Sequence, residues 1–222
     1  MDTLARALID LRDTTIQKSR VAFGNRLAAI ERGDDDGAYR GYIEKFHSRL
    51  VDFETEINAA LNDIASDMPI AERMITVKGV GKTLAIKVAA MIDIKRCDTV
   101  SALWRYAGYG VVDGRAERPR KGEKLHYNKR LKTACYLVGL SFLKSNSPYR
   151  RIYDEARADY ESSRPNWTKA HQHMGAMRKM IKVWLSHLWL VWREMEELPV
   201  TPPYIAADPR HTIITPDEMG WE

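Results

Sequence analysis

The chain has 222 residues, 45% of them hydrophobic, with 35 Lys and Arg against 30 Asp and Glu, a net charge of +5 and a pI near 9.1. That composition excludes a disordered tail and supplies enough apolar surface for one large domain, or for a compact domain with an appendage. Two cysteines without a CxxC pair, six scattered histidines, no leader-like N-terminus and no apolar run of membrane-spanning length predict a reduced, cytoplasmic, nucleoid-associated protein without a metal site or cofactor.

Residues 4–30 read as a helix whose apolar positions Leu4, Leu8, Leu11, Ile16, Phe23, Leu27 and Ile30 drift around one side, until residues 33–37, Gly-Asp-Asp-Asp-Gly, break it. In the next helix Ile43, Phe46, Leu50, Phe53, Ile57, Ala60 and Ile64 alternate by three and four, the seam of a coiled coil. Together these predict a coiled-coil helical hairpin over residues 1–68. Its seam, about three heptads long, either packs within the chain or forms the surface of a homodimer.

After Pro69, the run Gly79-Val80-Gly81-Lys82-Thr83 admits two readings. A phosphate-binding P-loop needs a further glycine five positions before Gly81, at the end of a buried strand. Position 76 is Thr76, and the preceding Ala71-Glu72-Arg73-Met74 does not read as a strand. The segment instead predicts a helix-hairpin-helix: a short helix ending near Val77, a two-glycine turn, and a second helix with Leu84, Val88 and Met91 or Ile92 on its apolar face. Such a turn aims free backbone N–H groups and the positive end of a helix dipole at one point, which suits a nucleic-acid phosphate. Lys78, Gly79, Gly81, Lys82, Thr83 and Lys87 are the predicted contacts; the bland alternative is an ordinary turn with solvated lysines.

Asp98 or Thr99 is positioned to cap a short helix that runs to Gly108. Gly110, Gly114, Pro119 and Gly122 then keep residues 109–127 irregular. Helices resume over residues 128–145, with Leu131, Cys135, Val138 and Phe142 on one face, over residues 147–162, and over residues 168–197. In the last, Ala170, Met174, Met177, Ile181, Trp184, Leu188, Val191 and Met195 form a stripe that reads as core. Residues 69–198 are thus predicted to form one helical domain, and residues 199–222 an extended acidic and proline-rich tail.

Between Gly114 and Lys132, eight basic residues (Arg115, Arg118, Arg120, Lys121, Lys124, Lys129, Arg130 and Lys132) face only Glu117 and Glu123. Such a segment cannot fold into an apolar core, and a polyanion relieves its self-repulsion. His126 and Tyr127 could stack on exposed bases. With Asn128, these eight are the predicted loop contacts to nucleic acid, either DNA or a structured RNA.

The order of these segments carries a resemblance. Lys78 to Gly81 (KGVG), Ser101 to Gly108 (SALWRYAG), Asn128 to Lys132 (NKRLK) and Asn146 to Tyr153 (NSPYRRIY) together resemble the C-terminal domain of the bridge-RNA-guided insertion-sequence transposases, the IS-one-ten type. The helices of residues 4–66 look like the coiled coil that precedes that domain, so the resemblance spans residues 4–197. It implies a role in DNA transposition or recombination. Two departures accompany it. No alternating strand–helix pattern could house the family's RuvC-like nuclease domain. The loop that carries the family's catalytic serine has no Ser or Thr here between Ser101 and Thr133, and only Tyr109 and Tyr127 offer a hydroxyl in it. Asp93, Asp98 and Asp113 read as a helix cap and solvated turn residues rather than magnesium ligands. The prediction is an all-α, transposase-related nucleic-acid-binding protein with no catalytic residues of its own, its chemistry lost or supplied by a partner nuclease. The alternatives are a recombinase with a relocated tyrosine nucleophile and a protein-interaction module.

Overall fold

A computed structural model describes residues 3–112, 114–117, 121–122, 124–201 and 213–221. The chain is all-α. Helix α1 (Thr3–Leu11) passes through a π-helical segment, Arg12–Ile16, into α2 (Gln17–Arg32); then come α3 (Arg40–Ser66), α4 (Pro69–Thr76), α5 (Lys82–Met91) and α6 (Val100–Tyr106). After a two-residue antiparallel ladder, β1 (Val111–Val112) with β2 (Arg115–Ala116), follow α7 (Lys129–Ser145), α8 (Arg150–Ser163) and α9 (Lys169–Met195).

In α3 the buried residues are Ile43, Glu54, Ile57, Leu61 and Ala65. Leu50, Ala60 and Ile64 are half-buried, while Phe46 and Phe53 of the predicted seam are exposed. The inward face is centred on Glu54, whose carboxylate accepts from Arg20 Nε at 2.5 Å and lies 3.6 Å from Arg12 Nε. Turning that carboxylate toward two guanidiniums turns the phenylalanines, with Tyr39 and Tyr42, toward solvent. On the first helix a similar shift buries Ala5, Ile9 and Ile16 and leaves Leu4 and Leu11 exposed. The π-helical segment lies between Ile9 and Ile16 and re-phases the helix there.

Helix α5 carries six buried residues, Ala85, Ile86 and Val88 to Met91, on more than one face. It is wedged between α1, α3, α4 and α7, which explains why a single apolar stripe does not describe it. Helix α9 forms the other axis. Met177, Met180, Ile181, Trp184, Leu185, Leu188 and Trp189 are almost wholly buried, each worth about 1.5–3 kcal/mol of apolar transfer. Ala170, Met174 and Met195 lie at its exposed ends. Gly139 lets α7 approach α9, because a Cβ there would lie 2.8 Å from Met177 Cε and 2.9 Å from Ile181 Cδ1. One continuous core includes α1, the C-terminal half of α3, and α4 to α9.

Beyond residue 201, the described residues 213–221 are not extended away from the body. A 3-10 turn, Asp217–Met219, carries Met219 and Trp221 into the core. Trp221 Nε1 donates to Tyr149 Oη at 2.7 Å, Tyr149 Oη lies 2.6 Å from His187 Nδ1, and His187 Nε2 lies 2.9 Å from the Ile214 carbonyl. A neutral imidazole protonated on Nε2 satisfies all three and also gives the Tyr149 hydroxyl proton an acceptor: it donates to the carbonyl and accepts from the tyrosine. Burial lowers the His187 pKa against the smaller opposing effects of the Ile214 carbonyl and Glu218.

Because the folded pKa lies below the ordinary value of 6.5, this contribution to stability is complete above about pH 6.5 and is lost as pH falls through the folded pKa. His187→Leu is expected to cost about 1–3 kcal/mol at pH 7.5 by leaving Tyr149 without its acceptor and the Ile214 carbonyl without its donor. The difference in melting temperature from the parent protein should shrink between pH 7.5 and 5; a constant difference would contradict the neutral-imidazole wiring.

Candidate nucleic-acid interface

The turn between α4 and α5 presents its two glycines differently. Gly79 has φ +101° and is packed on α7: Ser141 Oγ donates to its carbonyl at 2.6 Å, and a Cβ at this position would lie 2.5 Å from Ser145 Oγ. Gly81 is the N-cap of α5 with φ −87°, and a Cβ there would meet nothing within 4 Å. The first, then, is demanded by packing, and the second leaves an open approach to the helix start, where the Lys82 and Thr83 amides have no intrahelical acceptor. Lys78 and Lys82 are exposed beside it, and Thr83 is half-buried.

Lys87 points elsewhere. Its ammonium lies 2.8 Å from Asp13 in the π-helical segment. Arg130, at the start of α7, is likewise paired with Asp10 of α1. Between them lies a cavity of about 170 Å³ lined by Asp13, Lys87, Met91, Arg130, Thr133 and Leu137, among others. The N-terminal helices therefore neutralise two of the predicted contacts.

Asn128 is the N-cap of α7. Its Oδ1 accepts from the Arg130 and Leu131 amides at 3.0 and 3.1 Å, and its Nδ2 donates to Tyr106 Oη at 3.1 Å. Its backbone amide donates to the Tyr106 carbonyl at 2.8 Å, and Tyr106 Oη donates to the Met91 carbonyl at 2.9 Å. These bonds join the ends of α5 and α6 to the start of α7 and engage the Asn128 side chain at both polar atoms. Lys121, Lys124 and Lys129 are exposed, and Lys132 is half-buried with its ammonium 4.4 Å from the Tyr127 ring centroid. Gly108, with φ +77°, allows this: a Cβ would lie 2.8 Å from both Lys132 Cδ and Tyr127 Cδ2. The Arg115 side chain, Arg118 and Arg120 lie outside the described residues.

From Phe142, which touches Gly79, to Lys129 along α7 is about 20 Å at 1.5 Å per residue. Arg130, Thr133, Leu137 and Lys144 are exposed and share one helical face with Ser141. That face runs from the basic end of α7 to the glycine turn.

The hydroxyls considered as nucleophiles are differently placed. Tyr109 is buried, its Oη is 3.4 Å from the Lys132 carbonyl, and burial pushes its phenol pKa well above the ordinary value. Asp98 is exposed and lies 3.9 Å from Arg193; the cap of α6 is Thr99, whose hydroxyl accepts from the Ala102 amide at 3.2 Å. Asp113 lies outside the described residues, among which no three His, Cys, Asp or Glu side chains cluster as a metal would require. Cys97 and Cys135 are buried free thiols, the first pushed up to about 11 by burial.

Arg178 on α9 is a residue that sequence reasoning passed over. Its Nη2 donates to the Tyr109 and Gly110 carbonyls at 2.5 and 2.7 Å and anchors the first residues of the basic loop. Its signal was the i, i+4 pair with Lys182, two cations on the flank of the apolar stripe. No protein-family model matches the chain, and no curated protein or solved structure matches it.

Asp10→Asn with Asp13→Asn removes the counter-charges of Arg130 and Lys87; the exposed Arg130 pair contributes little to stability, whereas the largely covered Lys87 makes the Asp13 change cost more. The expected result is tighter binding of a DNA duplex, by a few fold, with a steeper salt dependence. Unchanged affinity would show that neither cation reaches the ligand.

Proposed function

We propose that the protein binds nucleic acid, DNA in the first place, as a transposase-related factor that is catalytically silent by itself. The observation that carries this reading is the open start of α5: Gly81 without a neighbour and exposed Lys78 and Lys82 beside it. Taken as a helix-hairpin-helix, α4, the turn and α5 offer amides and charge to one backbone phosphate. Exposed Lys121, Lys124 and Lys129 at the other end of α7 extend the same surface. The separation of about 20 Å corresponds to about six base-pair steps at 3.4 Å each. The SALWRYAG and NKRLK segments, on which the resemblance to the transposase domain rests in part, meet in this chain through the Tyr106 and Asn128 hydrogen bonds. A buried Tyr109 favours a silent protein over one with a relocated nucleophile, because a phenol held neutral is a poor attacking group.

A homodimer belongs to the same reading. On α3 the exposed Tyr42, Phe46 and Phe53, with Tyr39 just before the helix, form one stripe, the three helical residues within about a sixth of a turn of one another at 100° per residue. This stripe, rather than the buried part of the coiled-coil seam, is the surface on which a second copy would pair. Two bound duplexes would then be held by one dimer.

Fluorescence anisotropy with duplex, single-stranded DNA and RNA across a salt series tests the binding surface. Gly81→Ala should keep the melting temperature, because the added methyl meets nothing, and weaken binding about tenfold by blocking the phosphate. Lys78→Gln with Lys82→Gln should lower the salt slope by about two. Full affinity in both variants would sink the assignment, and preference for RNA would change the ligand.

Light scattering of Phe46→Glu with Phe53→Glu tests the dimer. The variant should be monomeric at a concentration where the parent protein is dimeric, with a modest loss of stability, because both side chains are exposed and Phe46 also packs on the Phe23 ring, 6.2 Å away between centroids. A monomeric parent protein would remove the dimer from the reading.

A further inference from the structure

We infer that Lys132, Arg178 and Lys182 form a second phosphate-binding site, on the side of α7 away from the glycine turn, that takes a backbone phosphodiester. The source of the phosphate rests on the nucleic-acid reading above; the anion site itself stands on different residues.

Lys132 projects from α7 between about 100° and 160° around the helix from Arg130, Thr133, Leu137 and Lys144. There it meets α9, where Arg178 and Lys182 lie one turn apart on a common face. The three cations are half-buried. Each is held against an aromatic ring: Lys132 Nζ is 4.4 Å from the Tyr127 centroid, Arg178 Cζ 5.8 Å from Tyr109 and Lys182 Nζ 3.8 Å from Trp104. Trp104 is itself fixed by its Nε1 donating to the Lys182 carbonyl at 3.0 Å. Among the described residues none of the three makes an ion pair. Glu117 is the carboxylate that acts on Lys132, and it is already taken by the His126 amide and ring at 3.0 and 3.1 Å.

Burial lowers the pKa of all three, and the Arg178 charge lowers Lys132 and Lys182 further. Three like charges so arranged destabilise the free protein. Cation–π contacts return only part of that loss, whereas a phosphodiester beside Arg178, with its one negative charge, would offset the repulsion that Arg178 exerts on both lysines. The cluster also adjoins the Arg178 bonds to Tyr109 and Gly110. A phosphate gripped here is therefore gripped at the root of the basic loop, and of the rings beside it the half-buried Tyr127 and Trp104 are the ones that suit an unstacked single strand.

Lys182→Met keeps the aliphatic stem over Trp104 and removes the charge. Melting temperature is measured in chloride and in inorganic phosphate at matched ionic strength, and anisotropy with an oligodeoxythymidine. The variant is expected to melt about 2–4 °C higher than the parent protein in chloride, to lose the stabilisation by phosphate, and to bind the oligonucleotide about tenfold more weakly. Lys132→Met should behave alike, while Lys78→Gln with Lys82→Gln should keep the phosphate stabilisation. A Lys182→Met variant that melts lower with binding unchanged would make the cation structural and overturn the site. So would the absence of any phosphate effect on the parent protein. Stabilisation by phosphate without oligonucleotide binding would overturn the phosphodiester as ligand and leave free phosphate, a result distinct from failure of the glycine turn to bind DNA.

Discussion

The donors that α9 and its neighbours aim at backbone carbonyls of irregular chain hold the central part of the molecule together. Among the described residues the Cys97, Tyr109 and Gly110 carbonyls accept from side chains rather than from a helical amide, and buried backbone acceptors left unpaired are costly. Trp189 Nε1 donates to the Cys97 carbonyl at 2.7 Å, Arg193 donates to the Ile94, Cys97 and Pro199 carbonyls, and Arg178 donates to those of Tyr109 and Gly110. Packing of the apolar stripe sets where α9 lies. The donors on its flanks then decide where both connections run, and through the second of them the origin of the basic loop.

Charge buried within this framework is answered rather than tolerated. Glu54 sits between Arg12 and Arg20, and Arg193 spends its guanidinium on carbonyls with Asp98 3.9 Å away. His187 is kept neutral by burial and holds Tyr149, and through it Trp221, in place. Breaking one member of such a set leaves its partner without a counterpart, which costs more than the contact itself contributes. Lys132 and Lys182, half-buried beside Arg178 and without a carboxylate or carbonyl partner for their ammonium groups among the described residues, depart from that pattern, and the departure is what marks the cluster as a place for a ligand.

Net charge alone said little about partners, and its distribution says more. Asp10 and Asp13 supply counter-charges to Arg130 and Lys87, while the glycine turn and the loop lysines remain open at opposite ends of α7. The surface proposed for nucleic acid is consequently divided by a rigid helix into two stations, with a third on its far side. A polyanion with regular phosphate spacing can meet such stations together, which a compact acidic protein patch does less readily.

Helix existence and order were legible in the sequence because periodicity, caps and breakers are local. The spans read for residues 98–108, 128–145, 147–162 and 168–197 contain or nearly coincide with α6 to α9, and Thr99, Asn128 and Thr168 cap them through their own side chains. The phase of α3 was not legible: Phe46 and Phe53 satisfy a heptad as well as Glu54 violates it, and only the positions of Arg12 and Arg20 make the glutamate the inward residue. The tail read as extended because proline and acid dominate it, yet Trp221 finds a hydrogen-bond acceptor in Tyr149, 72 residues away in sequence. Lys78, Lys82 and Gly81 could be named from spacing; that Gly79 is consumed by packing, Asn128 by capping and Lys87 by Asp13 could not. Sequence by itself determined an all-α chain and the order of its helices, since those depend on residues within a few turns of one another. Which side chains remain free to act was decided only by the tertiary structure, because each depends on a partner brought near by folding.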